Sequence, residues 1–332
     1  MAANSGTFLT RFYYNVKPFV PRGLRWALRR KRAAGIRERS AETWPINAAA
    51  SATPDGWPGW PEGKRFALVL THDVESAEGL GKVRPLVELE REFGLRSSFN
   101  FIPQGGYSVS DEMRAWLAGQ NCEVGVHDLH HDGKLYHSRS GFREKAEQIK
   151  HHMRKWGAVG FRSGFMLRQL DWLHDLDAEY DASTFDTDPF EPQPDGCRTI
   201  FPFFVPDRDR AAGSGYVELP YTLPQDSTLY LLLGERSPEI WLRKLDWIAE
   251  HGGLALVNIH PDYIDFHRSD FAHFRYPSSL VTDLLEYLQS RYGGQFWNPL
   301  PRELAAWFRG SCGDDGSSFV KSVLPGNLPA RS

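Results

Sequence analysis

The sequence predicts an α/β fold in which parallel strands alternate with helices along most of the chain. From residue 64 onwards, short apolar runs of strand length alternate with longer segments whose apolar residues recur at helical spacing. Polar and ionisable side chains follow several of the apolar runs directly. Because barrel enzymes build their sites at the carboxyl ends of their strands, these side chains are expected to meet at one end of the sheet.

The predicted elements alternate from the first apolar run to the last periodic segment. The strand candidates lie near 66–71, 96–101, 123–126, 159–162, 180–184, 216–219 and 254–260. The helix candidates lie near 80–93, 110–119, 141–156, 169–177, 238–251, 278–291 and 301–309. Strands that are joined through helices pair in parallel, with the helices packed outside the sheet.

The first strand candidate ends in two acidic residues. Phe66-Ala67-Leu68-Val69-Leu70 is an uninterrupted apolar run, which is typical of a strand buried on both faces. In the polar continuation Thr71-His72-Asp73-Val74-Glu75, side-chain alternation places Asp73 and Glu75 on one side and Val74 on the other. The two carboxylates could then share one site. The alternative is a strand end closed by a solvated turn.

Two histidines follow the third strand candidate. His127 and His131 come after Cys122-Glu123-Val124-Gly125-Val126. On a helical turn, their four-residue spacing would put both imidazoles on one face, as a bound metal requires. Two imidazoles and one carboxylate form a known zinc ligand set that leaves a position open for water. The alternative is a histidine-rich surface loop, and the neighbouring His130 and His137 are expected to face solvent.

An arginine and a late histidine complete the pattern. Arg162 lies in Gly160-Phe161-Arg162-Ser163-Gly164-Phe165 and could pair with Asp73, which would lower the pKa of that carboxyl. His260 ends the apolar run that begins at Gly253, and Pro261 restricts it to an extended backbone. An imidazole at such a strand end suits a general acid. The alternative for both residues is a structural role as a hydrogen-bond or ion-pair partner.

The order of these motifs resembles the polysaccharide deacetylase family, also called the NodB-homology family or carbohydrate esterase family 4. The resemblance spans about residues 64 to 265, and the joint order is more specific than any single motif. Two positions depart from the family pattern. Val74 stands where the family has a metal-binding Asp, which leaves Glu75 as the substitute, and Ser163-Gly164 replaces the family's Pro. The matching positions are Asp73, His127, His131, Arg162, Tyr180-Asp181-Ala182-Ser183-Thr184 and His260.

This resemblance implies a distorted, incomplete (β/α) barrel and a metal-dependent hydrolase. It implies a divalent metal ion, with zinc expected, and three protein ligands to that ion. The general base would be Asp73, oriented and tuned by Arg162, while His260 would protonate the leaving amine. The implied metal ligands are Glu75, His127 and His131.

The implied reaction removes an N-acetyl group from a carbohydrate and releases acetate and an amino sugar. The expected substrate is an N-acetylated glycan or glycolipid used in surface-polysaccharide biosynthesis. Two alternatives remain at this stage. One is a hydrolase of a non-sugar amide or imide on the same fold. The other is a non-catalytic carbohydrate-binding relative, in which Val74 would mark the loss of the metal.

Composition agrees with an enzyme without identifying one. The chain has 332 residues, and 41% of them are hydrophobic, which is enough for a large core. A net charge of -3 argues against a general nucleic-acid binder, and three widely spaced cysteines argue against a disulfide framework. The sequence shows neither an apolar stretch of about 20 residues nor the apolar core of a secretory signal. We therefore expect a cytoplasmic protein.

The chain is expected to divide into four parts. Residues 1–43 form a basic aromatic arm, 44–63 a Pro-rich linker or wrapping arm, 64–310 the catalytic domain and 311–332 a flexible tail. Within the first part, residues 11–39 mix basic and aromatic side chains. Such a mixture suits peripheral contact with the inner face of an anionic membrane, and the alternative is a solvated or substrate-facing arm.

The stretch from Phe185 to Pro206 is expected to form a lid or one wall of the substrate groove. It is rich in proline and aromatic residues, and sugars stack on aromatic faces. Most of the aromatic residues are nevertheless expected to pack the loop onto the barrel. Asp186 and Asp188 are interpreted as loop-local hydrogen-bond acceptors rather than site residues. The aromatic candidates for stacking are Phe190, Phe201, Phe203 and Phe204.

Overall fold

The computed structural model of the chain describes residues 22–211, 213–272 and 274–312. Residues 1–21 of the predicted N-terminal arm and 313–332 of the predicted tail lie outside these ranges. The strands are β1 (Phe66–Val74), β2 (Ser97–Phe101), β3 (Glu123–His127), β4 (Gly160–Arg162), β5 (Tyr180–Asp181), β6 (Phe203–Pro206), β7 (Gly215–Glu218), β8 (Leu254–Asn258), β9 (Ile264–Asp265), β10 (Tyr276–Pro277) and β11 (Phe296–Trp297).

The α-helices lie mostly between the strands, as the alternating pattern predicts. They are α1 (Arg22–Arg39), α2 (Ala77–Gly81), α3 (Val83–Glu92), α4 (Asp111–Gly119), α5 (Arg139–Trp156), α6 (Leu170–Leu173), α7 (Glu239–His251), α8 (Ser279–Tyr292) and α9 (Pro301–Cys312). One π-helix, Ser227–Leu233, follows β7. The predicted helix at 169–177 is divided into α6 and a 3-10 turn, His174–Leu176.

Strand β1 is the centre of the main sheet. All nine of its residues are buried, as the uninterrupted apolar run predicts. One edge of β1 pairs in parallel with β2 in a register that sets Asp73 opposite Asn100. The strand also pairs in parallel with β8, and Thr71 lies opposite Asn258 there. The two registers bring side chains from three strands together at the carboxyl end of β1.

The sheet curls into a barrel that is not closed by continuous strands. From β1, parallel ladders run through β2, β3, β4 and β5 to β7, and β6 adds to β7 as an antiparallel edge. The isolated bridge between Phe185 and Tyr221 continues the pairing of β5 with β7 beyond the ends of both strands. The segment after β7 reaches β8 through a second isolated bridge, Leu223 to Val257. This arrangement confirms the predicted α/β fold with a distorted, incomplete barrel.

The Pro-rich segment 44–63 lies against the barrel. Trp44 and Trp60 are buried, and the Trp60 indole donates a hydrogen bond to the Gly252 carbonyl oxygen over 2.7 Å. The ring of Trp57 packs edge-on against Trp60 and Phe201. Burial of these large aromatic surfaces fixes the segment to the domain.

Helix α1 lies against the π-helix Ser227–Leu233. Its residues belong to the segment that the sequence analysis described as a basic aromatic arm. Within the described part of the chain, no helix combines the length and apolar character that crossing a bilayer requires.

Candidate active site

The six predicted site residues meet at the carboxyl ends of four strands. Because parallel pairing aligns the carboxyl ends of the strands, side chains presented at those ends lie close together. Asp73 belongs to β1 and Glu75 follows it, His127 ends β3, His131 lies four residues later, Arg162 ends β4, and His260 lies two residues beyond β8.

Glu75, His127 and His131 form a cluster with the composition of a metal site. One donor atom from each residue lies within 4.8 Å of the other two. Nε2 of His131 is 3.3 Å from Oε1 of Glu75, and Oε2 of Glu75 accepts a hydrogen bond from the Tyr263 hydroxyl. Burial by itself would raise the pKa of Glu75, but attraction by His131, His260 and His127 lowers it. The carboxylate is therefore ionised and able to bind a cation.

The hydrogen bonding of His127 prepares one of its nitrogens for a metal ion. Nδ1 lies 3.1 Å from the main-chain carbonyl oxygen of Arg162, which can only accept, so the proton resides on Nδ1. Nε2 then presents its lone pair to the cluster. This atom is buried and has no hydrogen-bond partner among the described residues. Burial is also the largest cause that lowers the pKa of His127, which favours the neutral form that a metal needs.

The loop after β3, rather than a helical turn, brings the two histidines together. Asp128 and His131 both have left-handed backbone conformations, with φ of 57° and 54°. The expectation of one helical face was therefore wrong in its geometry, although the imidazole centroids lie only 4.8 Å apart. A side chain at Gly164 would crowd this loop, because its Cβ would lie 2.5 Å from Asp128 Oδ2 and 2.8 Å from His131 Cδ2. His130 is exposed, as predicted.

Asp73 is buried and is held by donors from three other strands. Asn100 donates to Oδ1 over 2.9 Å, and Asn258 donates to Oδ2 over 2.8 Å. Arg162 contacts Oδ1 at 3.4 Å. Burial by itself would raise the pKa of Asp73, but attraction by His127, Arg162 and His260 and the hydrogen bond from Asn100 hold it far below its usual range. The carboxylate is ionised at neutral pH and fixed in one orientation.

Arg162 is fully buried and is positioned by more than its carboxylate partner. Its Nε donates to the carbonyl oxygen of Ala182, and its Nη1 donates to the Thr71 hydroxyl, both over 2.9 Å. The guanidinium therefore cannot follow Asp73 if that side chain moves. The pairing of Arg162 with Asp73 is the contact that the sequence analysis anticipated.

His260 is held by Asp226, a residue that the sequence analysis missed. Nδ1 of His260 lies 2.6 Å from Asp226 Oδ1, and Oδ2 accepts from the His260 main-chain amide and from the Tyr276 hydroxyl. Nε2 faces the cluster, 3.9 Å from Glu75 Oε1. Burial lowers the pKa of His260, but the charge of Asp226 and its hydrogen bond outweigh burial and raise it to about 10. The imidazole is therefore protonated at neutral pH.

Asp181, a further position that matched the sequence pattern, has a structural role. It accepts hydrogen bonds from the amide and hydroxyl of Ser183. Burial raises the pKa of Asp181 and, to well above its usual value, the pKa of neighbouring Glu218. Asp226, which lies after the isolated bridge at Leu223, occupies the position beside the late histidine instead.

The aromatic candidates for sugar stacking are not available to a ligand, with Phe190 as the partial exception. Phe201, Phe203 and Phe204 are buried, so the expectation that such residues pack the loop onto the barrel is correct for them. Phe190 is partly buried against Trp44. A different ring lies at the site: Phe165, whose centroid is 4.2 Å from that of His131.

Asp186 and Asp188 make contacts well beyond their own loop. Asp186 forms a buried ion pair with Lys244, at 2.8 Å. Asp188 accepts one local bond, from the Phe190 amide, and one distant bond, from the Tyr221 hydroxyl. The interpretation as loop-local acceptors is therefore incomplete, since each residue also fastens the loop to another element.

No family model and no curated protein matches the chain. Among solved structures, a candidate polysaccharide deacetylase from Mycobacterium smegmatis is similar, with 17% sequence identity and a TM-score of 0.60. The match covers 84% of this chain and 99% of that one. A chitin deacetylase from the fungal pathogen Colletotrichum lindemuthianum is 14% identical, with 73% and 88% coverage and a TM-score of 0.44.

A family 4 carbohydrate esterase from Streptomyces lividans, in complex with acetate, is 12% identical over 70% of this chain and 91% of that one, with a TM-score of 0.42. The match to the Mycobacterium smegmatis structure extends over most of this chain and nearly all of that one, and it bears on the fold. The chain therefore has the polysaccharide deacetylase fold that its motifs predicted.

Proposed function

We propose that this protein is a metal-dependent hydrolase that removes an N-acetyl group from a carbohydrate and releases acetate and an amino sugar. One observation supports this proposal above the others. The Glu75, His127 and His131 cluster lies between an ionised carboxylate, Asp73, and a protonated imidazole, His260. Hydrolysis of an amide needs a base for the attacking water and an acid for the leaving nitrogen, on either side of the reacting carbon.

The residues present fit a divalent cation, and zinc is the expected ion. Two neutral imidazoles and one carboxylate are a ligand set that zinc accepts while keeping a position for water. The buried and unpartnered Nε2 of His127 supports this assignment, since an orphaned buried acceptor is costly unless something binds it. A bound divalent ion would lower the pKa of a coordinated water toward about 7 and polarise the amide carbonyl.

In this proposal, Asp73 accepts the proton of the attacking water. Its Oδ2 lies 3.8 Å from Nε2 of His127, so the carboxylate borders the cluster. Arg162 and the two asparagine amides hold the carboxylate ionised and prevent it from rotating away. We infer that the role of Arg162 is to orient Asp73 and tune its pKa.

In this proposal, His260 protonates the leaving nitrogen. Asp226 holds Nδ1, so the proton on Nε2 is the one directed toward the cluster. An amine leaves poorly without a proton, and a positioned acid contributes about a hundredfold to ten-thousandfold to such a reaction. The intact acid, base and ligand set supports catalysis over the non-catalytic alternative. The proposed substrate is an N-acetylated glycan or glycolipid of surface-polysaccharide biosynthesis.

The test is elemental analysis of bound metal combined with acetate release from N-acetylglucosamine oligosaccharides. We expect about one divalent ion per chain, in keeping with a single three-ligand site. The double variant His127→Ala/His131→Ala should lose both the metal and acetate release. The matched control is His151→Ala/His152→Ala, which removes two histidines from α5 that lie outside the cluster.

The control variant should keep both the metal and the activity. A wild-type protein that binds no metal after reconstitution would contradict the proposal. Equal acetate release by the His127→Ala/His131→Ala variant would contradict it as well. Hydrolysis of a cyclic imide such as hydantoin, without release of acetate from the oligosaccharides, would show that the protein is a hydrolase with a different substrate class.

A further inference from the structure

Helix α1 has one side fixed to the domain. Nε of Arg30 donates to the Leu231 carbonyl oxygen over 3.0 Å, and Nη1 of Arg37 lies 2.5 Å from Oε1 of Glu235. Ala33, between them, is 2% exposed. Positions 30, 33 and 37 are separated by three and four residues, so they share one side of the helix. That side is the docked face of α1.

The opposite side of α1 is basic and includes an exposed leucine. Leu28, Lys31 and Arg32 are separated by three and four residues, and all three are exposed. Leu28 is 58% exposed, unusually high for a large apolar side chain of this protein. A lone exposed leucine is ordinary on a protein surface, but one surrounded by cations is typical of helices that lie in a lipid interface.

Charge is strongly segregated between α1 and the remaining chain. The helix Arg22–Arg39 contains eight basic residues and one acidic residue, so its formal charge is +7. The whole chain has a net charge of -3, which leaves -10 on the other residues. An anionic surface therefore attracts this helix and repels the average of the remaining surface. Such an asymmetry orients the protein as well as attracting it.

The helix lies close to the part of the fold that supports the acid of the site. Its docking partner, the π-helix Ser227–Leu233, begins one residue after Asp226, and Asp226 caps it by accepting from the Ser227 amide. Asp226 also holds His260. The docked helix and the candidate active site are therefore linked through a single short segment.

We propose that the exposed face of α1, formed by Leu28, Lys31 and Arg32, docks onto an anionic lipid bilayer and holds the protein at the membrane surface. The positive charge supplies long-range attraction, and Leu28 inserts at the boundary between headgroups and acyl chains. A deacetylase held in this way would act on a lipid-linked glycan. That substrate class rests on the proposed function, whereas the docking does not.

The test is cosedimentation of the full chain with vesicles. We expect binding to phosphatidylcholine vesicles that contain about a third phosphatidylglycerol, and weak binding to pure phosphatidylcholine. The variant Lys31→Glu/Arg32→Glu should partition at least about 25-fold more weakly, which is about fivefold for each basic residue lost. Leu28→Ser, which leaves the charge unchanged, should weaken partition about tenfold.

The matched control is Lys155→Glu/Arg208→Glu, which changes the net charge equally at two exposed positions away from α1. This variant should partition like the wild type. Equal loss in the control would show that only net charge matters and would overturn the proposal. Absence of wild-type binding to anionic vesicles would overturn the proposal too. Binding to RNA that is weakened by Lys31→Glu/Arg32→Glu but not by Leu28→Ser would also overturn it.

Acetate release from soluble oligosaccharides separates this proposal from the proposed function. The α1 variants should release acetate from soluble substrate at the wild-type rate. If no variant and no wild-type protein releases acetate but vesicle binding follows the expected pattern, the docking stands and the enzymatic proposal fails. If acetate is released but vesicles are not bound, the enzymatic proposal stands and the docking proposal fails.

Discussion

The variant Asp226→Asn tests how the candidate acid is kept protonated. Asp226 provides the two largest contributions that raise the pKa of His260 to about 10. Without the charge, burial pulls the pKa down, and we expect it to fall toward the ordinary value of about 6.5. At pH 7.5, the protonated fraction of the His260 imidazole would fall from nearly all molecules to about one tenth of them. If His260 is the acid, kcat/KM at pH 7.5 should fall about tenfold from protonation alone.

The direction of the pH dependence follows from the role of the imidazole. An acid must be protonated to act, so activity is lost as the pH rises through the pKa of His260. In the wild type this loss should occur at strongly alkaline pH, and in Asp226→Asn it should occur near neutrality. The assay is the pH dependence of kcat/KM from pH 5.5 to 10, together with the imidazole nitrogen shifts of His260 in the metal-free protein by NMR.

Tyr276→Phe is the matched control for this experiment. It removes the hydroxyl that donates to Asp226 Oδ2 over 2.8 Å but leaves the carboxylate charge beside His260. We expect the alkaline loss of activity to stay close to its wild-type position. An unchanged His260 pKa in Asp226→Asn would refute the electrostatic account. A shifted pKa without any change in the pH profile would refute the role of His260 as the acid.

Two further predictions concern the metal loop and the core. Gly164→Ala should weaken metal binding about 10- to 100-fold in chelator competition, because the added Cβ would displace His131. The control is Gly119→Ala, where the added Cβ has open space. Equal metal affinities of the two variants would show that the loop adapts. Lys244→Met should lower the free energy of unfolding by about 3–5 kcal/mol, because Asp186 is left buried and unpaired. Calorimetry should then show Tm lowered by about 10 °C. A Tm within about 1 °C of the wild type would show that water reaches Asp186.

Local patterns in the sequence were sufficient to locate the strand ends and the side chains presented there. The apolar run of β1 and the alternation beyond it placed Asp73 and Glu75 on one side, and both reach the site. Pro261 after an apolar run placed His260 at a strand end. These inferences depend only on side-chain period and backbone restriction, which neighbouring residues determine.

The partners of these side chains could not be predicted, because they depend on which strands become neighbours. Asn100 contacts Asp73 because the β1–β2 register sets the two residues opposite each other. Asp226 reaches His260 because an isolated bridge at Leu223 brings its segment beside β8. Neither register nor an isolated bridge leaves a periodic signal in the sequence.

Short or unusual elements were missed for a related reason. Strand β11 contains two residues, β6 runs antiparallel at an edge, and the π-helix has too few residues for its period to be recognised. The left-handed conformations at Asp128 and His131 are set by tertiary contacts around Gly164, since neither residue type requires them. The helical-turn argument failed there because it considered spacing without the loop's surroundings.

The position of β1 divides the candidate machinery into two halves that are separable along the chain. The three proposed metal ligands, together with the Arg162 carbonyl that orients His127, occur in the first 162 residues and reach the site through β1 to β4. The supporting carboxylate of Asp226 and the proposed acid, His260, occur later in the chain, on the β8 side. During synthesis the ligands therefore emerge before the acid. In evolution either half can decay alone, and a descendant that loses only the β8 side would keep the proposed metal ligands and lose the proposed acid.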